Sequence, residues 1–362
     1  MSFKSLGGAT YWSVVIPVIA IALLFVAPNH GLALWVVVVV AASLIAAVVA
    51  AVHHAEVVAH RVGEPFGSLV LAVAVTIIEV ALIVSMMLSS ATPATALARD
   101  TVFAAVMIVS TGVVGLCLLV GGLRHHVIAF RVEGTSPALA TLTALITLTL
   151  VLPAYTTSTA GPTFSTSQLV FAGVVSLTLY AVFLFVQTVR HRDYFLPADP
   201  GKETMHAAAI SAPTALLSMG LLLICLVAVV GLSKKLAPSI EDAVRAANAP
   251  SGVVGIAIAM LVLLPETWAA VRAAAANRVQ TSLNLALGSA LASIGLTIPA
   301  VAAVSIILGL PLTLGLPPKE IVILALTAIV GTLTLGGGQA TVLQGAVHLA
   351  LFAVFVFLSI VP

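Results

Sequence analysis

Runs of about 20 apolar residues recur along nearly the whole chain, and a run of that length is enough to cross a hydrocarbon core ~30 Å thick. Leu69–Val84 and Val254–Val271 are two such stretches. No water is present in that core to satisfy backbone N–H and C=O groups. The runs also lack the alternation of a strand, so they must be helices. The rest of the chain agrees. Of 362 residues, 61% are hydrophobic and 7% charged, and mean hydropathy is +1.25. Soluble domains carry roughly 25% charged residues, so this surface could not be solvated. The expected fold is an all-α polytopic membrane protein. The net charge of +2 reflects loop arginines and gives no nucleic-acid surface.

Breaks at Gly, Pro and charge clusters divide the chain into about eleven transmembrane helices. They fall near residues 11–27, 31–52, 66–91, 100–122, 137–155, 167–189, 207–233, 251–275, 282–308, 320–335 and 341–361. Setting the first aside leaves two sets of five. An odd number of helices per repeat inverts the second copy, as in many secondary transporters. The expected organisation is therefore an N-terminal peripheral helix (1–30), a five-helix repeat (31–189), a cytoplasmic connector (190–206) and an inverted five-helix repeat (207–362). The first span, preceded by Lys4, has the look of a signal peptide but reads better as an uncleaved helix. With eleven spans, nine of the 14 Lys and Arg residues fall on the N-terminal side. The positive-inside rule then places the N-terminus in the cytoplasm. Cys117 and Cys225 lie within spans and read as small hydrophobes.

Two acidic side chains, Glu79 and Glu266, lie deep inside apolar runs, each in the second helix of its set of five. A charge at mid-membrane costs ~2.5–3.5 kcal/mol on insertion scales and usually faces a partner, an ion or a water-filled cavity. Burial raises a carboxyl pKa, so each Glu would hold a proton unless a cation displaces it. Hard divalent cations take oxygen ligands only. Two carboxylates with one Ca²⁺ sum to zero charge, as do two protonated carboxyls. Either loaded state is tolerable in low dielectric, and the doubly charged empty state is not. Exchange of one cation for protons follows from that asymmetry. The alternative is a satisfied interhelical pair without transport.

Further oxygen ligands are expected nearby. Thr76 lies one turn before Glu79. Pro265 would free the Leu261 carbonyl from its helical bond. Ser110, Thr111, Asn284, Ser289 and Ser293 offer polar atoms in neighbouring helices, with helix packing as the competing role. Residues 53–64 read as an amphipathic surface helix whose His53, His54 and His60 are solvated. Lys235–Ala247 reads as a short outer-face helix. Gln344 and His348, at i and i+4, read as a hydrogen-bonded packing pair, with a proton relay as the alternative. Gly336–Gly338 reads as a tight turn.

The stretch His60-Arg-Val-Gly-Glu-Pro-Phe-Gly-Ser-Leu69 leading to Glu79 resembles the first repeat motif of the cation/calcium exchanger superfamily. Leu264-Pro-Glu266, continuing through Asn277-Arg-Val-Gln-Thr-Ser-Leu-Asn-Leu-Ala-Leu-Gly-Ser289, resembles the second. Asp100-Thr-Val-Phe, Gly121-Gly-Leu-Arg124 and His348-Leu-Ala-Leu-Phe352 are similar to the bacterial ChaA-type calcium (sodium, potassium)/proton antiporters. The resemblance implies one peripheral helix plus two inverted five-helix repeats. It also implies that Glu79 and Glu266 bind the transported cation and exchange it for protons, and that Glu64 is an entrance relay, with a solvated helix cap as the alternative. A Gly-Asn pair found before each acid in the plant and fungal branch is replaced here by Val75-Thr76 and Val262-Leu263, so one amide ligand per repeat is missing.

The expected function is a secondary antiporter in the inner (plasma) membrane, exporting calcium against protons by alternating access, with no cofactor. The metal and proton ligands would be Glu79 and Glu266, with Thr76, Ser110, Asn284 and Ser289 around them. A monovalent antiporter, for sodium or potassium, is the alternative on the same site. A lipid-modifying enzyme would need a nucleophile–base pair or clustered carboxylates, and none is visible. A passive channel fits buried carboxylates in inverted repeats less well than a carrier.

Overall fold

A computed structural model describes residues 5–6, 9–28, 33–62, 66–89, 95–196, 210–246, 250 and 252–361. These are almost entirely helical. We label the helices α1 (Tyr11–Val26), α2 (Leu34–Val62), α3 (Phe66–Ser89), α4 (Leu97–His125), α5 (Val132–Ala154), α6 (Thr166–Arg190), α7 (Ala212–Ala246), α8 (Gly252–Ala275), α9 (Val279–Leu308), α10 (Pro318–Leu335) and α11 (Val342–Ile360). Eight are long and apolar enough to cross a membrane, or nine if the bent α8 is one span; α1 and the stretch Val73–Leu88 of α3 are shorter apolar helices. The protein is an all-α polytopic membrane protein. The expected count of eleven crossings goes beyond what length and hydropathy by themselves support.

Two expected breaks are not there. Residues 53–62 continue α2 without interruption, and Lys235–Ala246 continue α7. Alanine and long side chains in both stretches carry the helical hydrogen bonding onward, so no separate surface helix forms.

The chain divides into two compact units, one within residues 1–94 and 205–249, the other within 95–204 and 250–362. Each draws one segment from either half of the sequence. In the first unit, α2 and α7 pack together and against α1 and α3. Arg61 Nη1 donates to the Ile210 carbonyl at 3.3 Å, and Lys235 Nζ donates to the Ala27 carbonyl.

In the second unit, α8 packs against α4 and α9, and α4 against α11. Glycine makes that last contact possible: a Cβ on Gly345 would lie 2.5 Å from the Leu119 nitrogen, and one on Gly122 2.8 Å from that of Val342. Small residues let helices in lipid approach closely where no hydrophobic force draws them together. Gly336–Gly338 forms the expected turn, with Gly338 at φ +69°. It leads into a short strand, Gln339–Ala340, paired antiparallel with Ile128–Ala129.

Asn277 explains how α8 ends. It sits at φ +60°, its N–H donates to the Ala274 carbonyl, and the Arg278 N–H donates to that of Ala273. This is the Schellman arrangement with Asn in the left-handed position. Four helices depart from α geometry in π-helical turns near their middles or ends: Ile108–Val113 in α4, Thr147–Val151 in α5, Val186–Arg190 in α6 and Ser293–Thr297 in α9. Such turns are often found at functional sites.

Candidate cation site

Glu79 lies in the middle of α3. Its neighbours explain its orientation: Val75, Ile78, Leu82, Ile83 and Met86 are buried, whereas Val73 and Ile77 are exposed. That pattern is one helical stripe facing protein, and Glu79 belongs to it with 3% exposure. Thr76, one turn earlier, is also buried. A carboxylate and a hydroxyl thus share the inner face of an uninterrupted apolar helix.

Glu266 lies on the corresponding stripe of α8. Ala259, Val262, Leu263, Ala270, Ala273 and Ala274 are buried, and Met260, Leu264 and Trp268 are exposed. Glu266 itself is half-buried. The helix bends by 54° between Gly252–Leu264 and Glu266–Ala275, at Pro265, directly before the acid. Proline has no N–H for the i−4 carbonyl and its ring collides with that carbonyl, so a kink here has an identified cause. Thr267 Oγ1 donates to the Leu263 carbonyl at 2.7 Å, the bond a threonine hydroxyl makes one turn back along its own helix. A proline at 265 has no N–H to offer the Leu261 carbonyl four residues back.

The other named residues separate into different settings. α8 packs against α4, which carries Ser110, and against α9, which carries Ser289; Ser289 is half-buried and Ser293 buried. The Ser110 hydroxyl is buried and makes no hydrogen bond. Thr111 donates to the Met107 carbonyl one turn earlier, at 2.5 Å. Asn284 is already engaged: its Nδ2 donates to the Phe195 carbonyl, and its Oδ1 accepts from Gln280 Nε2 at 3.0 Å. Gln280 Oε1 in turn accepts from the Arg131 backbone at 2.7 Å. The Asn284 amide therefore ties α9 to the connector end near Phe195. Both ends of the amide are thus hydrogen-bonded within the protein. Glu64 lies outside the described residues.

Two histidine readings also change. His54 is fully buried, and its Nε2 donates to the Ser13 carbonyl at 2.7 Å. His53 packs against Trp12, with ring centroids 4.8 Å apart. Only His60 is solvent-exposed as expected; α1 covers the other two. The Gln344–His348 pair does not form. Gln344 Oε1 instead accepts from the Thr341 backbone at 2.9 Å and from its hydroxyl at 2.6 Å, capping α11. His348 Nδ1 donates to the Ser110 carbonyl at 2.9 Å, which leaves Nε2 to accept from the Thr334 hydroxyl at 3.2 Å. A free helix N-terminus competes better for Gln344 than a histidine one turn on.

Comparison with known proteins bears on the family and the fold. The sequence profile described as sodium/calcium exchanger protein matches residues 32–189 and 217–361. The putative ionic transporter y4hA of Sinorhizobium fredii is 52% identical over 357 residues, covering 97% of this chain and 96% of that protein. The sodium-potassium/proton antiporter ChaA of Escherichia coli is 36% identical over 307 residues, covering 84% and 83%. Among solved structures, native YfkE superposes with a TM-score of 0.72 at 17% identity, covering 97% of this chain and 100% of that one. The H⁺/Ca²⁺ exchanger CAX superposes at 0.66 with 13% identity, covering 96% and 89%. At those identities the structures speak to the fold alone. An apolar helical chain whose two halves each match the same profile, with a protein-facing glutamate in each, belongs to the sodium/calcium exchanger family of membrane cation antiporters.

Proposed function

We propose that this protein is a secondary active antiporter that exports calcium in exchange for protons by alternating access, with Glu79 and Glu266 as the exchanging carboxylates. The observation that carries it is the placement of both acids on the protein-facing stripes of apolar helices, Glu79 with 3% exposure. A carboxylate held there cannot be charged, unpaired and stable at once. Proton and metal are the two ways to neutralise it, and one displaces the other. Thr76 and the Leu261 carbonyl supply further oxygen ligands beside each acid, with Ser110 and Ser289 as additional candidates and Glu64 as the relay at the cytoplasmic entrance. We assign the N-terminus to the cytoplasm, the membrane to the bacterial inner membrane, and the repeats to residues 31–189 and 207–362. Inward proton flow supplies the work, at ~2.3 kcal/mol per charge for each 100 mV.

Two similarities favour a second reading, sodium or potassium as cargo. The relative ChaA is named a sodium-potassium/proton antiporter, and Val75-Thr76 and Val262-Leu263 replace the amide-bearing pairs of the plant and fungal branch. One monovalent ion would leave one Glu protonated. Purified protein in vesicles with a trapped pH dye separates the readings. Calcium-driven proton efflux with no response to sodium or potassium supports the first, and the reverse pattern supports the second. No proton movement with any of the three cations would overturn both.

A further inference from the structure

The wide turn in α4 leaves one acceptor without its regular donor. In an α-helix the Val114 N–H would reach the Ser110 carbonyl four residues back. After the π-helical stretch Ile108–Val113 it reaches the carbonyls of Val109 and Thr111 instead. The Ser110 carbonyl is met from another helix: His348 Nδ1, on α11, donates to it at 2.9 Å. A ring N–H thus takes the place of the backbone donor that the turn has redirected.

Two further features hold the ring there. The Thr334 hydroxyl, on α10, faces Nε2 at 3.2 Å. A carbonyl only accepts, so Nδ1 carries the proton and the neutral ring leaves Nε2 to accept from Thr334. Both residues are buried. Glycine brings α11 up to the turn: a Cβ on Gly115 would lie 3.0 Å from the His348 Cβ, and one on Gly112 3.3 Å from the Phe352 ring. The same turn packs against α8, which carries Glu266, and against α9. The ring is not a through-going proton path, because its Nδ1–H ends on a carbonyl, which passes no proton on.

We propose that His348 is a positioning residue for cation exchange: its Nδ1–H fixes the wide turn of α4 in the register that α8 and α9 meet, and so sets how tightly the cation is held. This rests on the antiport reading above and deepens it on the Glu266 side. An unpaired buried carbonyl is costly, so without the ring the turn is driven toward regular α geometry. Closing it rotates one flank of α4 against the other by about 100°, one residue's share of a helical turn. The faces presented to α8 and α9 would then no longer match.

The test measures proton movement in vesicles holding the full chain, driven in turn by calcium, sodium and potassium chloride. Rates are referred to the folded fraction of each variant, read by size exclusion in detergent. Asn places an amide N–H where Nδ1 lies, Gln places one where Nε2 lies, and Leu offers no donor. His348→Leu and His348→Gln should each raise the cation concentration for half-maximal exchange about tenfold, toward the upper end for one hydrogen bond within a membrane. Their maximal rate per folded protein should stay within about twofold of wild type, less than one such bond. His348→Asn should bring half-saturation back to within about twofold of wild type, and Thr334→Val, which frees the far side of the ring, should raise it about threefold.

A histidine needed only for folding would lower the folded fraction and leave half-saturation of the remainder unmoved, which overturns the proposal. So does an equal loss in the Asn, Gln and Leu variants, which would mark the imidazole itself as the working group. The ring is also read apart from transport, by ¹⁵N NMR of the labelled chain in lipid nanodiscs. A proton on Nδ1 and none on Nε2 is expected, and the reverse overturns the proposal. Wild-type vesicles that move no protons with any of the three salts overturn the antiport reading and this proposal with it. Normal wild-type exchange with unmoved half-saturation in His348→Leu and His348→Gln overturns this proposal alone.

Discussion

The two glutamate helices carry the same side chain on the same protein-facing stripe and differ in the backbone that holds it. α3 runs unbroken through Glu79, which is buried beside the Thr76 hydroxyl. α8 turns by 54° just ahead of Glu266, which is half-buried. In the proposed site, the extra oxygen on α3 is the Thr76 side chain, and the one on α8 is the Leu261 carbonyl, which Pro265 cannot pair. The difference suggests a division of labour: a rigid carboxylate on α3 and one on α8 whose local backbone can adjust as ligands come and go. Discontinuous helices at the sites of secondary transporters follow the same physics.

That contrast can be broken by substitution. Glu79→Gln and Glu266→Gln should each reduce cation/proton exchange to the background of protein-free vesicles while leaving membrane insertion intact, since an amide cannot trade a proton for a cation. Substantial exchange in either variant would end the assignment. Ile78→Pro puts in α3 the proline that α8 has, at a buried position. It should destabilise the detergent-solubilised protein by about 3 kcal/mol, seen as a lower unfolding temperature, because α3 has no bend to receive it. Pro265→Ala should straighten α8 and weaken the apparent cation affinity about tenfold, the effect of one lost bond to a charged ligand. Unchanged affinity would show that the bend is only architectural. Thr76→Ala should cost about threefold in the same assay, at the low end for a membrane hydrogen bond. Arg272→Lys, at an exposed position near the end of α8, should leave exchange as it is, because either cation reaches the interface on its stem.

Several residues show where local reading works and where it stops. Glu79, Thr76 and Glu266 were legible because a polar atom in an apolar run stands out against its neighbours, and the 3.6-residue period places it on one face. Pro265 announced its own bend. His54 was misjudged because its burial comes from α1, some 40 residues earlier in sequence. Asn284 looked available because its partners, Phe195 and Gln280, are set by how α9 meets the connector. The continuity of α2 through His60 and of α7 through Ala246 was obscured by charges that a helix end tolerates as well as a loop does.

From the sequence alone come the membrane, the helices, the placement of one acid in each half and the family, because hydropathy and periodicity are properties of neighbouring residues. Only the tertiary structure decided that the compact units mix segments from both halves, that His348 joins Ser110 to Thr334, and that four π-helical turns occur in α4, α5, α6 and α9. These depend on which helices meet in space, and in an apolar chain many pairings bury similar surfaces. Close packing at glycines and a few hydrogen bonds choose among them.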